Sequence, residues 1–421
     1  MRQPPKLTEF PRYPVIFCTA LFAMGVTAAW WAAKVDISPL FENAMIRRGE
    51  LWRLATSMFP HVGVMHLVFN IYWLWVFGTV VEQVYGPLKT AALIILFAAG
   101  PAALEYAFAG GGVGLSGVGY GLFGLLWIVS MRDERFQDAV DRQTIQLFIV
   151  WFFFCMVLTY LKIVPVANIA HGTGAVLGIL VGLAITLPER RALFTASAGI
   201  IVLFGLWAAT LGRPRVNLSE EGAYEECNWG YKAMNANHNQ DAVRWLSEAV
   251  SYRHVPGPCW STFGLANEQA GNHRAALAAY RKGIELGDQF AEYSLAAMYD
   301  RGAEGVPQDD QQALNWYRKA ASHASPAVLN NIAWAFATSS NPAIRNPEAA
   351  LKYATQAVAA DKEHPNPRFL DTLAEAQYAT GNSQDAVQTE EHAIALAAPQ
   401  QKDSYQKSLA KYQHAAHVPK P

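Results

Sequence analysis

Three polar side chains lie within or beside long apolar runs of this sequence. Ser116 opens one run, His66 lies near the start of another, and His171 lies near the start of a third. Polar and ionisable groups in such surroundings are costly and usually face the interior of a helix bundle. A serine within hydrogen-bond reach of a histidine is a base-activated nucleophile. The residue types therefore indicate acyl-transfer chemistry, provided that the fold brings Ser116 to His171.

A second polar pair, His66 and Asn70, has the spacing of neighbours on one helix face. Both side chains can donate hydrogen bonds. Two convergent donors in a low-dielectric site are what a developing oxyanion requires. We therefore predict that His66 and Asn70 form the oxyanion hole of a site built on Ser116.

Glycines lie at helical spacing beside both candidate catalytic residues. They are Gly114, Gly117, Gly121 and Gly124 around Ser116, and Gly174, Gly178 and Gly182 after His171. Such faces let helix backbones approach closely, which would place Ser116 against His171. Tyr120, one turn after Ser116, is predicted to pack its ring on the imidazole. The glycines have a purely structural interpretation as well, because packing alone would explain them.

The same histidines allow other interpretations. His61, His66 and His171 could in principle hold zinc, but no cysteine or carboxylate is placed to complete a ligand set. We therefore expect neither a metal nor a cofactor. Ser116 alone could also turn back to a backbone carbonyl, as hydroxyls in apolar helices often do.

The elements that must position these residues are membrane helices. The chain of 421 residues has a formal charge of −1, which gives no indication of nucleic acid binding. Apolar runs dominate up to about residue 212, and the remainder is polar. We predict a cytoplasmic segment 1–12, a membrane domain 13–212 and a soluble extracytoplasmic domain 213–421.

Seven runs have lengths near the roughly 20 residues that a membrane helix needs. They are Tyr13–Ala33, Met65–Val81, Thr90–Ala109, Ser116–Met131, Ile145–Ile163, Asn168–Leu187 and Leu193–Leu211. The bias of basic residues favours a cytoplasmic N-terminus. In that topology Ser116, His66 and His171 all fall at outward ends of their helices. The long joint 34–60 is expected to contain helical pieces.

The polar half repeats a pattern of two helices every 33–40 residues, which is typical of a tetratricopeptide-type solenoid. The five predicted units are Glu221–Tyr252, Cys259–Leu286, Gln289–Ala321, Pro326–Ala359 and Pro367–Leu396, with Ser404–His414 as a cap. The third unit resembles the Sel-one-like variant. Cys227 and Cys259 fall about one repeat apart on first helices of successive units, so we predict a disulfide between them, in keeping with an oxidising compartment.

The motifs of the apolar half, taken together, resemble those of the rhomboid family of intramembrane serine proteases. The resemblance covers about residues 40–187. Its motifs are Trp52-Arg53, His66-xxx-Asn70, Glu82-xxx-Gly86, Gly114-x-Ser116-Gly117 with Tyr120, and His171-xx-Gly174-xxx-Gly178. The resemblance implies an all-α membrane bundle with a six-helix core and an extra helix. It also implies Ser116 as nucleophile and His171 as base, with no acid. Gly119 departs from the family's pattern and is expected to loosen the helix between Ser116 and Tyr120. Glu105, an ionisable group near the outer end of the third run, is either a solvated helix end or a gate or substrate contact.

The implied activity is hydrolysis of peptide bonds in or next to the transmembrane segments of membrane-protein substrates. A bacterial inner membrane is the expected location. The repeat domain is expected to bind an unidentified protein or peptide. The alternatives are a catalytically inactive rhomboid-like protein that binds membrane clients, and a membrane-anchored repeat scaffold.

Overall fold

The computed structural model describes residues 4–219, 221–360 and 365–417. These residues form an α-helical chain, which confirms the predicted fold class. The chain divides into two compact units, Met1–Glu225 with Ser251–His254, and Glu226–Val250 with Val255–Pro421. The first unit extends past residue 212 because the segment that follows stays bound to it, as when Leu218 N–H donates to Phe108 O at 2.9 Å.

The first unit contains eight α-helices within its described residues. They are α1 Pro14–Trp31, α2 Arg53–Thr56, α3 Val64–Ala109, α4 Ser116–Ser130, α5 Arg142–Tyr160, α6 Asn168–Thr186, α7 Arg191–Trp207 and α8 Arg213–Val216. In the described residues, five helical stretches are long and apolar enough to cross a membrane by length and composition: α1, α3, α5, α6 and Pro188–Val216. Helix α4 is shorter but also apolar.

Helix α3 joins two spans that the sequence pattern separates. Only Gly86 leaves helical geometry, with φ 77° and ψ 171°. Its positive φ is open to glycine without the penalty that a side chain would meet. Pro87 then begins the second arm, where its fixed φ suits a first helical turn. The two arms correspond to Met65–Val81 and Thr90–Ala109, each longer than predicted.

Helix α4 lies at the centre of the first unit. Its Leu122, Leu125 and Leu126 are fully buried. In contrast, Val150 of α5 and Leu203 of α7 are 66% and 68% exposed. Large apolar side chains on outer helices suit contact with lipid tails, while the central helix is enclosed by protein.

The second unit consists of helix pairs. Its helices are α9 Tyr224–Asn235, α10 Asn239–Ala249, α11 Gly257–Gln269, α12 His273–Glu285, α13 Gln289–Arg301, α14 Asp310–Ala321, α15 Pro326–Thr338, α16 Pro347–Ala360, α17 Pro367–Ala379, α18 Ser383–Leu396 and α19 Lys402–His417. Fully buried alanines such as Ala276, Ala313 and Ala354 recur along it. The predicted cap lies in α19, whose Tyr412 is buried and donates to Glu375 Oε2 at 2.7 Å.

Candidate active site

The turn that precedes α4 places Ser116 as the first residue of that helix. Gly114 has φ +104°, and its N–H donates to Ser57 O at 2.9 Å. Leu115 N–H donates to His61 Nε2 at 3.4 Å. The loop before the serine is therefore fixed to the segment that precedes α3, rather than by α4 alone.

Ser116 Oγ and His171 Nε2 are hydrogen-bonded at 2.8 Å. The Tyr120 ring stacks on the imidazole with centroids 4.7 Å apart and planes at 24°. His171 is buried, and its Nδ1 has no hydrogen-bond partner among the described residues. The two side chains thus form a serine–histidine pair in which an aromatic ring, rather than a carboxylate, lies against the imidazole.

Glycines allow this close approach of α4 and α6. A Cβ added at Gly174 would collide with the carbonyl oxygen of Gly117, and one at Gly178 would collide with that of Gly121. The contact also runs from α4 to α6, since a Cβ added at Gly124 would collide with the carbonyl oxygen of Ala175. The two backbones are therefore in direct contact, a spacing that no larger residue would permit.

His66 and Asn70 converge on the same turn from the first arm of α3. A Cβ added at Gly114 would lie 2.7 Å from His66 Cε1 and 3.2 Å from Asn70 Nδ2. Buried His66 Nδ1 and Asn70 Nδ2 have no hydrogen-bond partner among the described residues. Polar groups without partners beside the turn that precedes Ser116 are suited to an oxygen that becomes charged during a reaction.

The third histidine, His61, has a structural role instead. His61 is fully buried, and its Nδ1 donates to Phe59 O at 2.9 Å while Nε2 accepts from Leu115 N–H. Both ring nitrogens are therefore occupied by backbone groups. Among the described residues, no group of three or more His, Cys, Asp or Glu side chains is arranged to hold a metal ion.

The Trp52-Arg53 motif organises the long loop. Two 3-10 turns, Ser38–Leu40 and Ala44–Arg48, precede α2, as the expected helical pieces. Arg53 is only 7% exposed and donates to Ser38 O at 2.9 Å and to Phe41 O at 3.2 Å. It therefore holds the loop together from within. Trp52 is 55% exposed.

The Glu82-xxx-Gly86 motif joins helices. Glu82 is buried, and its carboxylate accepts from Val15 N–H at 2.9 Å and Ile16 N–H at 3.0 Å. These are unsatisfied donors at the start of α1, where a negative charge is also favoured by the helix dipole. Gly86 is the break in α3 described above.

Two further carboxylates support the site. Glu105 Oε2 accepts from Ala170 N–H at 2.9 Å, one residue before His171. Glu42 accepts from Gly112 N–H at 2.8 Å and from Ser57 Oγ at 3.1 Å. Burial raises the pKa of Glu42, which lies in the loop, to about 8.

The sequence alone left the role of Glu105 open. It did not single out Glu42, because Glu42 lies in an ordinary loop pattern. Both line a cavity of about 30 Å³ that also touches Ser116. That volume is enough for about one water molecule. The one signal available from the sequence was that Glu105 is ionisable within an apolar run.

In the second unit, Cys227 of α9 and Cys259 of α11 are joined as a disulfide with Cα atoms 5.8 Å apart. The separation lies within the usual range for such a bond. Cys18 is exposed and Cys155 is buried, and both are free thiols.

Comparison with known proteins gives a coherent result for both halves. Residues 48–188 match the family model of the Rhomboid domain, and residues 289–325 and 326–362 match that of the Sel1 repeat. The rhomboid protease GlpG of Enterobacter sp. strain 638 is 30% identical over 145 residues, covering 34% of this chain and 51% of the relative. GlpG of Klebsiella pneumoniae strain MGH 78578 is 30% identical over 186 residues, covering 42% and 63%.

The rhomboid protease GluP of Bacillus subtilis is 25% identical over 278 residues, covering 61% of this chain and 50% of the relative. The chain thus spans between 50% and 63% of the length of these relatives. A solved TPR domain of P58(IPK) aligns with 94% of this chain and 98% of its own, at 14% identity and a TM-score of 0.24.

The apolar bundle and the matched domain define an integral membrane protein related to the rhomboid proteases. More particularly, the chain combines a Rhomboid domain with C-terminal Sel1 repeats, which confirms the resemblance that the sequence motifs predicted.

Proposed function

We propose that this protein is an intramembrane serine endopeptidase that uses a Ser116–His171 dyad. The observation that carries the proposal is the 2.8 Å hydrogen bond between the Ser116 hydroxyl and His171 Nε2 in an apolar bundle. The named relatives are rhomboid proteases, which supports the same class of reaction.

The mechanism follows from the contacts. His171 takes the hydroxyl proton as Ser116 attacks a peptide carbonyl, and Tyr120 keeps the imidazole plane in place. His66, Asn70 and the Ser116 N–H donate to the resulting oxyanion. His171 then protonates the leaving amine, and water releases the acyl group from Ser116. Because Tyr120 and the glycine contact between α4 and α6 both fix the imidazole of His171, its orientation does not require an acidic residue as a third member of the site.

Substrates would be membrane proteins whose transmembrane segment unwinds near its outer end, where small or helix-breaking residues lower the cost of exposing a peptide bond. We place the N-terminus in the cytoplasm of a bacterial cell and the repeat domain outside its inner membrane. The repeats would bind a protein or peptide. The Cys227–Cys259 disulfide agrees with that placement, since such bonds persist in oxidising compartments.

Labelling with a fluorophosphonate probe tests the dyad on the full chain in detergent. We expect labelling of the wild type, none of Ser116→Ala, and at least 100-fold slower labelling of His171→Ala. Ser197→Ala is the matched control, because this membrane-helix serine only donates to Leu193 O at 3.0 Å. Equal labelling of all four proteins would refute the dyad.

The second candidate is an inactive rhomboid-like protein that binds membrane clients. The partnerless Nδ1 of His171 is the one feature compatible with it, since the base lacks an orienting acid among the described residues. An unlabelled wild type that still captures a transmembrane peptide would favour this candidate over the protease.

A further inference from the structure

The second unit contains an open pocket of about 670 Å³. Its walls come from α13 and α14 of the first matched Sel1 repeat and from α15 and the following loop of the second. A volume in the range of about 300–1,000 Å³ is typical of ligand sites. The pocket therefore has room for several residues of an extended peptide.

Aromatic rings form much of its wall. Tyr293 and Tyr317 lie with centroids 6.0 Å apart, and Trp334 of α15 is 39% exposed. Exposed ring faces attract cations through their quadrupole, and tryptophan does so best. Large exposed aromatics within a concave surface are also common anchor points for bound peptides.

One carboxylate in this wall has no salt bridge to a cation among the described residues. Asp300 is half-buried, and its Oδ2 accepts from the Tyr317 hydroxyl at 3.5 Å. Burial raises its pKa although Asn341, the Tyr317 hydroxyl and the charge of Arg301 act in the opposite direction, so the cost of burying the negative charge is only partly offset. A cation that entered the pocket would remove that cost.

The remaining charges also favour a positive ligand. Arg301 lines the pocket but is ion-paired with Glu268. Asn341, at the rim, donates to Asp310 Oδ1 at 2.7 Å. Glu268, Asp300 and Asp310 thus outnumber the guanidinium of Arg301, so the local charge is negative.

We propose that this pocket binds the arginine or lysine side chain of an extended peptide segment, between the Asp300 carboxylate and the face of Trp334. The cationic head pairs with the carboxylate and its aliphatic stem lies on the indole. The flanking residues of the peptide occupy the rest of the volume. This assignment does not depend on the activity of the membrane unit.

Saturation-transfer NMR on the full chain in detergent tests the site. The probes are the pentapeptide Gly-Ser-Arg-Ser-Gly, its neutral isostere with citrulline at the centre, and spermidine. We expect the arginine peptide to bind at least fivefold more tightly than the citrulline peptide. Equal binding of the two peptides would overturn the proposal, and so would tighter binding of spermidine, which would point to a polyamine site.

Two variants assign the effect to the pocket. Asp300→Asn keeps the side-chain shape and should abolish the preference for arginine. Trp334→Ala should weaken the arginine peptide at least fivefold and, because the residue is exposed, should leave the circular dichroism spectrum unchanged. Asp385→Asn removes an exposed carboxylate of another repeat and should bind as the wild type. An Asp300→Asn protein indistinguishable from Asp385→Asn would overturn the proposal.

Discussion

The membrane unit and the repeat unit both pack helices through small residues, but they use different ones. Between α4 and α6 the residues are glycines, and an added Cβ at Gly174 or Gly178 would meet backbone atoms. In α12 the residues are alanines, such as Ala276 and Ala279, whose methyl groups are buried. The first contact joins two backbones, whereas the second joins side chains.

The difference follows from the solvent of each unit. Lipid tails are as apolar as side chains, so membrane helices gain little from burying a methyl group and associate through close packing instead. In water, each buried CH₂ contributes about 0.8 kcal/mol. In the membrane unit a small residue therefore sets a distance, and that distance brings Ser116 to His171. In the repeats it supplies stability.

The largest expected effect comes from adding one methyl group to the membrane contact. In Gly178→Ala the new Cβ would face the carbonyl oxygen of Gly121 and lie 2.7 Å from Leu125 N. Neither backbone atom can rotate away, so α6 must shift and take His171 with it. A misplacement of ~1 Å costs on the order of 100-fold in rate. We expect fluorophosphonate labelling to slow by at least that factor.

Gly119→Ala is the matched control for this experiment. Gly119 lies on α4 between Ser116 and Tyr120, and a Cβ there would have no atom within 4 Å. Labelling should remain within about twofold of the wild type, with a small gain from helix propensity. If Gly178→Ala and Gly119→Ala label equally fast, backbone contact does not set the geometry of the site.

The converse substitution tests the repeat unit. Ala279 of α12 is 2% exposed, while its neighbour Ala278 is exposed. Ala278→Gly should cost only helix propensity, about 1 kcal/mol. Ala279→Gly should cost about 2 kcal/mol because it also loses a buried methyl group. Thermal melts followed by circular dichroism should show drops of about 2–4 °C and about 4–8 °C, with labelling of Ser116 unchanged in both. Equal drops would mean that the methyl contact stabilises nothing.

Local spacing explains why so much of the site could be predicted from the sequence. His66 with Asn70, Ser116 with Tyr120, and the glycines after His171 each follow helical periodicity, so the helix face that each group occupies follows from its spacing alone. The apolar lengths predicted the spans, and the repeat pattern predicted the solenoid. Gly86 marks the limit, since the pattern separated two helices that the structure joins around a single residue.

The supporting carboxylates could not be predicted in this way. Glu42 meets Gly112 across 70 positions, and Glu105 meets Ala170 across 65. Contacts over such distances depend on how loops and helices pack in three dimensions. No spacing rule distinguishes Glu42 from a solvated loop residue, and the pocket around Asp300 is likewise formed by two repeats together.

Buried carboxylates extend the comparison between the units. In the membrane unit Glu82 and Glu105 accept backbone N–H groups at the starts of α1 and α6. In the repeat unit Glu390 of α18 is fully buried beside Asp371 of α17. Burial and then the adjacent Asp371 raise the pKa of Glu390 above its ordinary value of 4.5.

The smallest expected effect concerns Glu390 beside Asp371. It is a dependence of the stability of the repeat unit on pH. Because the folded chain keeps a proton that the unfolded chain releases above about 4.5, stability should fall as pH rises from 4.5 through the folded pKa. The wild-type melting temperature should drop by about 2–8 °C over that window. Glu390→Gln should flatten the drop, since its amide cannot lose a proton. Glu375→Gln, which loses bonds to Lys411 and Tyr412, should melt lower at every pH. A wild-type slope retained by Glu390→Gln would show that protonation of this carboxylate does not stabilise the folded repeats.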